Sequence, residues 1–222
     1  MTDKHHNADT TSAPEGYTVN NRGQAFWNER YARKDFVWTV TPNRFLAAEV
    51  ADLAPGRALD LAAGEGRNSV WLAEKGWTVR AVDFADVALD KARQLAESRQ
   101  VSARVTPLVA DLLTYAPEAR TYDLVVMCYL QLPQDEMGPI LARAAEAVAP
   151  GGTLFLVAHD SENLEHGHGG PQRPEALYTA EQVVAALDGA LEIEKAERVE
   201  RPVETDDGVK VALDCLVRAR RP

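Results

Sequence analysis

The chain has 222 residues, a formal net charge of −10 and 45% hydrophobic residues. A chain of this length is expected to form one domain with a substantial core. Its acidic balance argues against a duplex nucleic-acid partner, because phosphate contacts need clustered Lys and Arg. No apolar run approaches the about 18 residues that span a bilayer. A small-molecule substrate is therefore expected, without a nucleic acid or a membrane as partner.

The amino-terminal segment is polar and rich in Thr, Asp and His, and it lacks the apolar core of a secretory signal. Residues 1–16 are predicted to be a disordered tail, and 17–222 a single domain. Cys128 and Cys215 lie in apolar runs, as is typical of buried free thiols in a reducing compartment. These features predict a cytoplasmic protein, which we expect to be a monomer or a homodimer.

Two helices are predicted ahead of the first strand. Residues 24–32 have helical character, and a second helix is predicted from Thr41 to about Leu53. Thr41 is the predicted N-cap, with Pro42 at the first helical position. Residues 17–54 would then be an amino-terminal helical addition to the core.

From residue 57 onward, apolar runs alternate with helix-forming segments. Five strands are predicted over 57–63, 78–84, 103–110, 122–129 and 153–158. Helices are predicted over 67–75, over 86–97 with Asp86 as the cap, over 135–148 and over 179–187. Two last strands, 191–200 and 209–218, are joined by a polar turn. This alternation with a terminal hairpin predicts an α/β fold with a doubly wound sheet.

The most informative segment is residues 58–69, ALDLAAGEGRNS. An apolar run containing Asp60 is followed by Gly64, Gly66 and a helix-forming stretch, and Asp83 ends the next apolar run. Together they predict a βαβ unit that binds an adenosine-containing ligand at the carboxyl ends of its strands. Position 69 is Ser, whereas the dinucleotide-binding pattern expects a third glycine there.

The chain from about residue 20 to its end resembles the class I S-adenosylmethionine (SAM) methyltransferases. Within them it resembles the branch of the thiopurine and tellurite-resistance methyltransferases. The resemblance rests on residues 58–68, on FWNERY at 26–31 followed by Trp38 and Pro42, and on VVMCYLQLP at 125–133. It implies a Rossmann-like sheet of seven strands with the last one antiparallel, and S-adenosyl-L-methionine as the cofactor. It also implies an amino-terminal lid over the cofactor and the substrate, formed by Trp27, Arg30, Tyr31 and Trp38.

Most of the predicted cofactor contacts lie at strand ends. Gly64 and Gly66 would let the backbone approach the ligand closely, and Asp83 would accept both ribose hydroxyls. Two alternatives stay open: Asp83 as a helix cap, and Asp111 as a plain loop acid rather than an acceptor from the adenine amino group. The complete predicted cofactor set is Asp60, Ala62, Gly64, Gly66, Asn68, Asp83, Phe84, Asp111, Leu112 and Cys128.

Methyl transfer to a thiolate or a soft anion needs little base assistance, whereas an alcohol or a phenol needs a general base. His159, directly after the fifth strand, is the first candidate for a catalytic residue, and Tyr129 is the second. A strand-end histidine bonded to backbone is the alternative for His159. His166 and His168 lie in the following loop, where a mobile flap is favoured over a metal site, so no metal is predicted.

The favoured function is transfer of the methyl group of SAM to a small molecule through an S, O, N or metalloid nucleophile. A non-catalytic SAM-binding module is an alternative that intact binding motifs do not exclude. An NAD(P)-dependent reductase would predict the third glycine and a Tyr-x-x-x-Lys pair, neither of which is found. A methylase of RNA or protein is disfavoured by the acidic charge.

Overall fold

The computed structural model describes residues 23–32 and 36–222, so the predicted tail at 1–16 lies outside the described residues. Seven strands in this part of the chain form one sheet. They are β1 (Arg57–Leu61), β2 (Thr78–Asp83), β3 (Val105–Val109), β4 (Tyr122–Cys128), β5 (Val148–His159), β6 (Glu192–Thr205) and β7 (Gly208–Arg220). The helices are α1 (Gln24–Tyr31), α2 (Arg44–Glu49), α3 (Arg67–Glu74), α4 (Asp86–Ser98), α5 (Gln134–Ala147), α6 (Asn163–His166) and α7 (Ala180–Ala186).

The strand order in the sheet is β3-β2-β1-β4-β5-β7-β6. The first five strands pair in parallel, and β7 pairs antiparallel with β5. The prediction of a doubly wound sheet with its last strand antiparallel is confirmed. The order reverses between β1 and β4, and in open α/β sheets the crevice at such a reversal binds the ligand, outside the carboxyl ends of the strands.

Apolar side chains cover both faces of the sheet. Leu59 and Leu61 pack in one cluster with residues of α5 and α7, whereas Ala58 packs in the other with residues of α3 and α4. Burial on both faces explains why these strands are near-continuous apolar runs, as in other parallel sheets. None of the described helices is both long and apolar enough to span a membrane.

Two predicted helix caps are wrong. Asn43, not Thr41, is the N-cap of α2, because its side-chain oxygen accepts from the backbone N–H groups of Phe45 and Leu46. The N-cap of α4 is Ala85, and Asp86 is the first helical residue. The helix predicted over 179–187 spans Ala180–Ala186, and Thr179 is its N-cap in a capping box with Gln182.

The strands of the terminal hairpin are longer than predicted. β6 and β7 pair from Glu192 with Arg220 to Thr205 with Gly208, around a two-residue turn. β5 pairs with β7 only between Thr153 and His159. The rest of the hairpin therefore continues past the carboxyl end of β5 and borders the crevice.

Candidate active site

The loop after β1 carries three residues with positive φ. Ala62, Gly64 and Gly66 have φ values of 60°, 54° and 82°. A Cβ atom on Gly64 would lie 3.2 Å from Oη of Tyr31, so α1, the predicted lid helix, covers this glycine. A Cβ atom on Gly66 would lie 2.5 Å from Cβ of Ala92 in α4. Gly66 therefore permits the close packing of α4 on this turn, and Gly64 forms the surface beneath the lid.

Asp83 joins the end of β2 to this loop. Its Oδ2 accepts the backbone N–H of Gly64 at 2.8 Å, and its Oδ1 accepts that of Ala85 at 2.9 Å. Asp83 is 6% exposed, and this burial raises the pKa of its carboxyl group, while the backbone hydrogen bonds oppose the rise. A carboxylate has about four lone-pair sites, so beyond its backbone donors Asp83 can still accept from a ligand hydroxyl.

Asp60 lies beneath the loop, inside the sheet. Its Oδ2 accepts the hydroxyl of Ser69 at 2.6 Å, and the residue is 1% exposed. Burial raises the pKa of Asp60 to about 7, an effect that Ser69 opposes and the charge of Asp83 increases. The hydrogen bond to Ser69 shows that Asp60 fixes the start of α3. It also explains why position 69 carries a hydroxyl.

Glu65, between the two glycines, was not predicted as a site residue. It is 3% exposed, and its carboxylate accepts the backbone N–H groups of Val37 and Trp38 at 3.1 and 3.0 Å. Lys91 of α4 lies 2.9 Å from the same carboxylate. Glu65 thus binds the segment after α1 to residues 62–66, which we call the glycine loop. A charged residue between two glycines was the only sequence feature that could have indicated this role.

The four predicted lid residues lie together. Trp27 stacks on Tyr31 with ring centroids 5.6 Å apart, and the indole of Trp38 donates to the Tyr31 hydroxyl at 3.2 Å. The Arg30 guanidinium lies 5.7 Å from the Trp27 ring and 5.2 Å from the Trp38 ring. Phe84 packs in the same cluster. The predicted lid residues therefore pack against the end of β2, where the adenosine is expected.

The other predicted cofactor residues differ in their surroundings. Asn68 is buried, and its side-chain oxygen accepts the Asn43 N–H at 2.9 Å, which joins α3 to α2. Burial raises the pKa of the Cys128 thiol, which therefore stays protonated. Asp111 is exposed and accepts the N–H of Leu113 at 2.9 Å, whereas Leu112 packs in the core. Among the predicted cofactor residues, Asp111 therefore lies at the exposed edge.

Tyr129 and His159 meet at the carboxyl ends of β4 and β5. Their ring centroids are 4.9 Å apart. Tyr129 has a φ of 59°, which is strained for a residue with a side chain. Its hydroxyl donates to Oδ2 of Asp214 at 2.8 Å. The structure therefore brings together the two predicted catalytic residues.

Asp214 and Arg201 were not predicted as site residues. Asp214 is fully buried on β7, and Nε of Arg201 on β6 donates to its Oδ2 at 2.7 Å. The Arg201 guanidinium also lies 5.5 Å from the Tyr129 ring. The sequence did offer one indication of this site. Asp214 lies inside the apolar run Val-Ala-Leu-Asp-Cys-Leu-Val, and a carboxylate buried in such a run needs hydrogen-bonding partners. We call Tyr129, His159, Arg201 and Asp214 the Asp214 cluster.

The loop after β5 is anchored by Asn163. Its side chain accepts the N–H of Leu213 at 2.7 Å and donates to the carbonyl of Gly169 at 2.8 Å. His166 points away, with its side chain 64% exposed and 3.6 Å from Glu162. In the described part of the chain, no three His, Cys, Asp or Glu side chains are arranged to hold a metal ion.

Comparisons with known proteins agree with this geometry. Residues 58–152 match the family model described as a methyltransferase domain. A ribosomal RNA small subunit methyltransferase C of Alcanivorax borkumensis is 31% identical over 110 residues, 47% of this chain and 33% of that protein. The chain spans less than half the length of the curated relatives it matches.

Solved structures share the fold over most of the chain. One, from work on the conversion of a disulfide bond into a thioacetal group in echinomycin biosynthesis, has a TM-score of 0.71 and 19% identity, covering 92% of both chains. The N-methyltransferase NodS of Bradyrhizobium japonicum, solved with S-adenosyl-L-homocysteine, has a TM-score of 0.67 and 20% identity, covering 90% of this chain and 98% of that one. TehB of Haemophilus influenzae has a TM-score of 0.66 and 17% identity, covering 90% of this chain and 67% of that one.

The matched segment and the fold agree with the predicted class. Residues 58–152 match a methyltransferase domain model, and the sheet as a whole has the same fold as the methyltransferase NodS. The predicted Rossmann-like sheet of seven strands is confirmed.

Proposed function

We propose that this protein transfers the methyl group of SAM to a small-molecule acceptor by in-line displacement. The observation that carries the proposal is the junction of Asp83 with the glycine loop. A buried carboxylate with free lone pairs lies 2.8 Å from the Gly64 N–H, at the strand-order reversal of a methyltransferase sheet. A ribose diol is the ligand group that such a carboxylate fits.

The residues around this junction fit the rest of the cofactor. Gly64 lies beneath Tyr31 and has no side chain, so a ligand that displaces the Tyr31 ring meets bare backbone there, and the loop carbonyls can accept from an ammonium group. Phe84 and the lid residues Trp27 and Tyr31 offer flat apolar surface to an adenine. When bound, SAM supplies the activated methyl group, and the protein positions the acceptor in line with it.

A small acceptor is supported by the charge and by the lid. The net charge of −10 disfavours a polyanionic substrate. The Glu65 contacts with Val37 and Trp38 hold a closed cover over the loop, which suits a molecule enclosed in the crevice. Similarity to TehB supports a place in the thiopurine and tellurite-resistance branch.

The test is a calorimetric titration of the purified chain with S-adenosylhomocysteine, with NADH titrated in parallel. We expect micromolar binding of the former alone, followed by methyl transfer in a screen of thiols, phenols and tellurite. Binding of NADH alone would contradict the proposal. Cofactor binding without turnover of any acceptor would identify a non-catalytic SAM-binding protein.

A further inference from the structure

The Asp214 cluster is a buried charged assembly at the acceptor side of the crevice. Asp214 is 0% exposed and His159 is 8% exposed. A charge in the interior is costly unless donors surround it. Tyr129, which follows β4, and Asp214 of β7 both contact His159, and Arg201 of β6 binds Asp214, so several elements fix this one imidazole.

The contacts of Asp214 set the orientation of His159. Oδ2 of Asp214 accepts from both Tyr129 and Arg201. Oδ1 faces Nδ1 of His159 at 3.2 Å, and this contact is poorly aligned for a hydrogen bond. Long or misaligned contacts of this kind are common in unliganded active sites and tighten when substrate binds. A carboxylate at Nδ1 favours the proton there, which leaves Nε2 as the nitrogen able to accept a proton.

The electrostatic surroundings of Tyr129 and Asp214 favour His159 over Tyr129 as the base. Burial, together with the charge of Asp214, raises the pKa of the Tyr129 hydroxyl, so Tyr129 remains a protonated donor. Burial would also raise the pKa of Asp214, but its contact with His159 and its hydrogen bond with Arg201 outweigh burial and lower that pKa. Asp214 therefore stays ionised and can stabilise a protonated imidazole.

Two further residues, Asp160 and Gly170, adjoin His159. Asp160, the next residue, is buried and paired with Arg198 of β6 at 3.0 Å. Gly170 lies directly against the ring, where a Cβ atom would be 2.9 Å from Nδ1. The ring is thus held between Tyr129, Asp214 and the Gly170 backbone.

We propose that His159 is the general base of this methyltransferase, that Asp214 is its positioning residue, and that the acceptor carries a hydroxyl group, as in an alcohol or a phenol. This proposal rests on the proposed function. As the acceptor oxygen bonds to the methyl carbon of SAM, the carbon–sulfur bond breaks and its electron pair stays on sulfur. The hydroxyl proton moves to Nε2 of His159. The products are the methyl ether, S-adenosylhomocysteine and an imidazolium, which releases its proton to solvent.

The proton arrangement can be tested in the free protein. In ¹⁵N-histidine NMR at pH 8, we expect His159 to carry its proton on Nδ1, and Asp214→Asn to remove this preference. His166→Gln is the control: the signals that it removes belong to an exposed histidine, and the His159 signals should stay unchanged. A proton on Nε2 in the wild type would overturn the proposal, and this arm needs no acceptor.

The acceptor class is tested with phenol and thiophenol, which have the same shape but differ in acidity. A phenol, with a pKa near 10 like that of tyrosine, is protonated at pH 8, and thiophenol is the stronger acid. We expect His159→Gln to lower kcat for phenol by about 100- to 10,000-fold. For thiophenol we expect kcat to fall by less than tenfold. Free imidazole should restore part of the phenol activity of His159→Ala.

The pH profile supplies a readout that a purely structural role would not change. The wild-type rate with phenol should fall toward acid pH, because a protonated imidazole cannot accept another proton. Asp214→Asn should lower kcat for phenol with little change in KM, and His166→Gln should match the wild type. Equal losses for both acceptors, or a wild type active on thiophenol alone, would contradict a hydroxyl acceptor and a base at His159.

S-Adenosylhomocysteine binding separates this proposal from the proposed function. His159→Gln and Asp214→Asn should bind it as tightly as the wild type does, because neither residue contacts the glycine loop. A wild type that fails to bind it contradicts the proposed function itself. A wild type that binds it and methylates neither probe counts against the hydroxyl-acceptor proposal alone.

Discussion

The two sides of the crevice hold their buried carboxylates in different ways. Asp83, on the proposed cofactor side, is held by the backbone N–H groups of Gly64 and Ala85, and burial raises its pKa. Asp214, on the proposed acceptor side, is held by the side chains of Tyr129 and Arg201, and its pKa is lowered. Asp83 is bound by backbone donors alone, so its remaining lone pairs can accept from a ligand. Asp214 is bound by side chains of the Asp214 cluster and serves to orient them.

This difference predicts separate effects of mutation. Changes on the cofactor side should alter cofactor affinity, and changes in the Asp214 cluster should alter turnover. Variants near the glycine loop test that separation through cofactor affinity, and Asp60→Asn tests the stability of the strand beneath the loop, in order from the largest expected effect to the smallest.

Gly64→Val should abolish S-adenosylhomocysteine binding while the protein stays folded. At a φ of 54° a β-branched residue is strained, and its Cβ would lie 3.2 Å from Tyr31 Oη. Calorimetry measures the binding, and circular dichroism checks the fold. Gly138→Ala is the control, because a Cβ there meets nothing within 4 Å. Near-normal affinity in Gly64→Val would mean that the cofactor does not approach this loop.

Asp83→Ala should weaken S-adenosylhomocysteine binding by at least about 100-fold, because each hydrogen bond to a charged group contributes about 1.5–3 kcal/mol. Asp90→Ala, an exposed site on α4, is the matched control. Asp214→Asn should leave the affinity within about twofold of the wild type, which would sharpen the contrast between the two sides. Unchanged binding in Asp83→Ala would remove Asp83 from the cofactor site.

Asp60→Asn should remove a pH dependence of stability. The folded pKa of Asp60 is raised to about 7, so between about pH 4 and 7 the folded state binds more protons than the unfolded state. The wild type should therefore lose stability as pH rises through this window, by about 4 kcal/mol at most. Urea unfolding of both proteins at pH 5 and pH 8 measures the difference. Parallel pH curves would show that Asp60 titrates normally.

Glu65→Gln should weaken S-adenosylhomocysteine binding by about tenfold. The substitution removes the charge that strengthens the bonds to Val37, Trp38 and Lys91, at a cost of about 1–2 kcal/mol. The dissociation rate, measured by stopped flow, should rise accordingly, since the cover is held less firmly. Glu74→Gln on the surface of α3 provides the comparison. An unchanged dissociation rate would separate Glu65 from lid closure.

Deletion of residues 1–16 should leave S-adenosylhomocysteine affinity unchanged. The described lid contacts begin with α1, whose first residue is Gln24. Calorimetry of the shortened chain beside the full chain makes the comparison. A loss of affinity would show that the deleted segment contributes to the cover.

The sequence by itself determined the sheet, the βαβ unit and the positions of Asp60, Gly64 and Asp83. These residues lie within one short stretch, so strand and turn geometry fixes their relation almost locally. The proposed lid was predicted only through family resemblance, and its attachment through Glu65 depends on the backbone N–H groups of Val37 and Trp38, which no side-chain pattern reveals.

Only the tertiary structure determines which residues meet in the Asp214 cluster. Tyr129 and Asp214 are 85 positions apart in the chain, and they meet because β7 pairs antiparallel with β5 in one register. A shift of that register by one residue would turn Asp214 to the other face. Sequence spacing carries no information about such a long-range register, whereas the pairing of the folded strands determines which side chains meet.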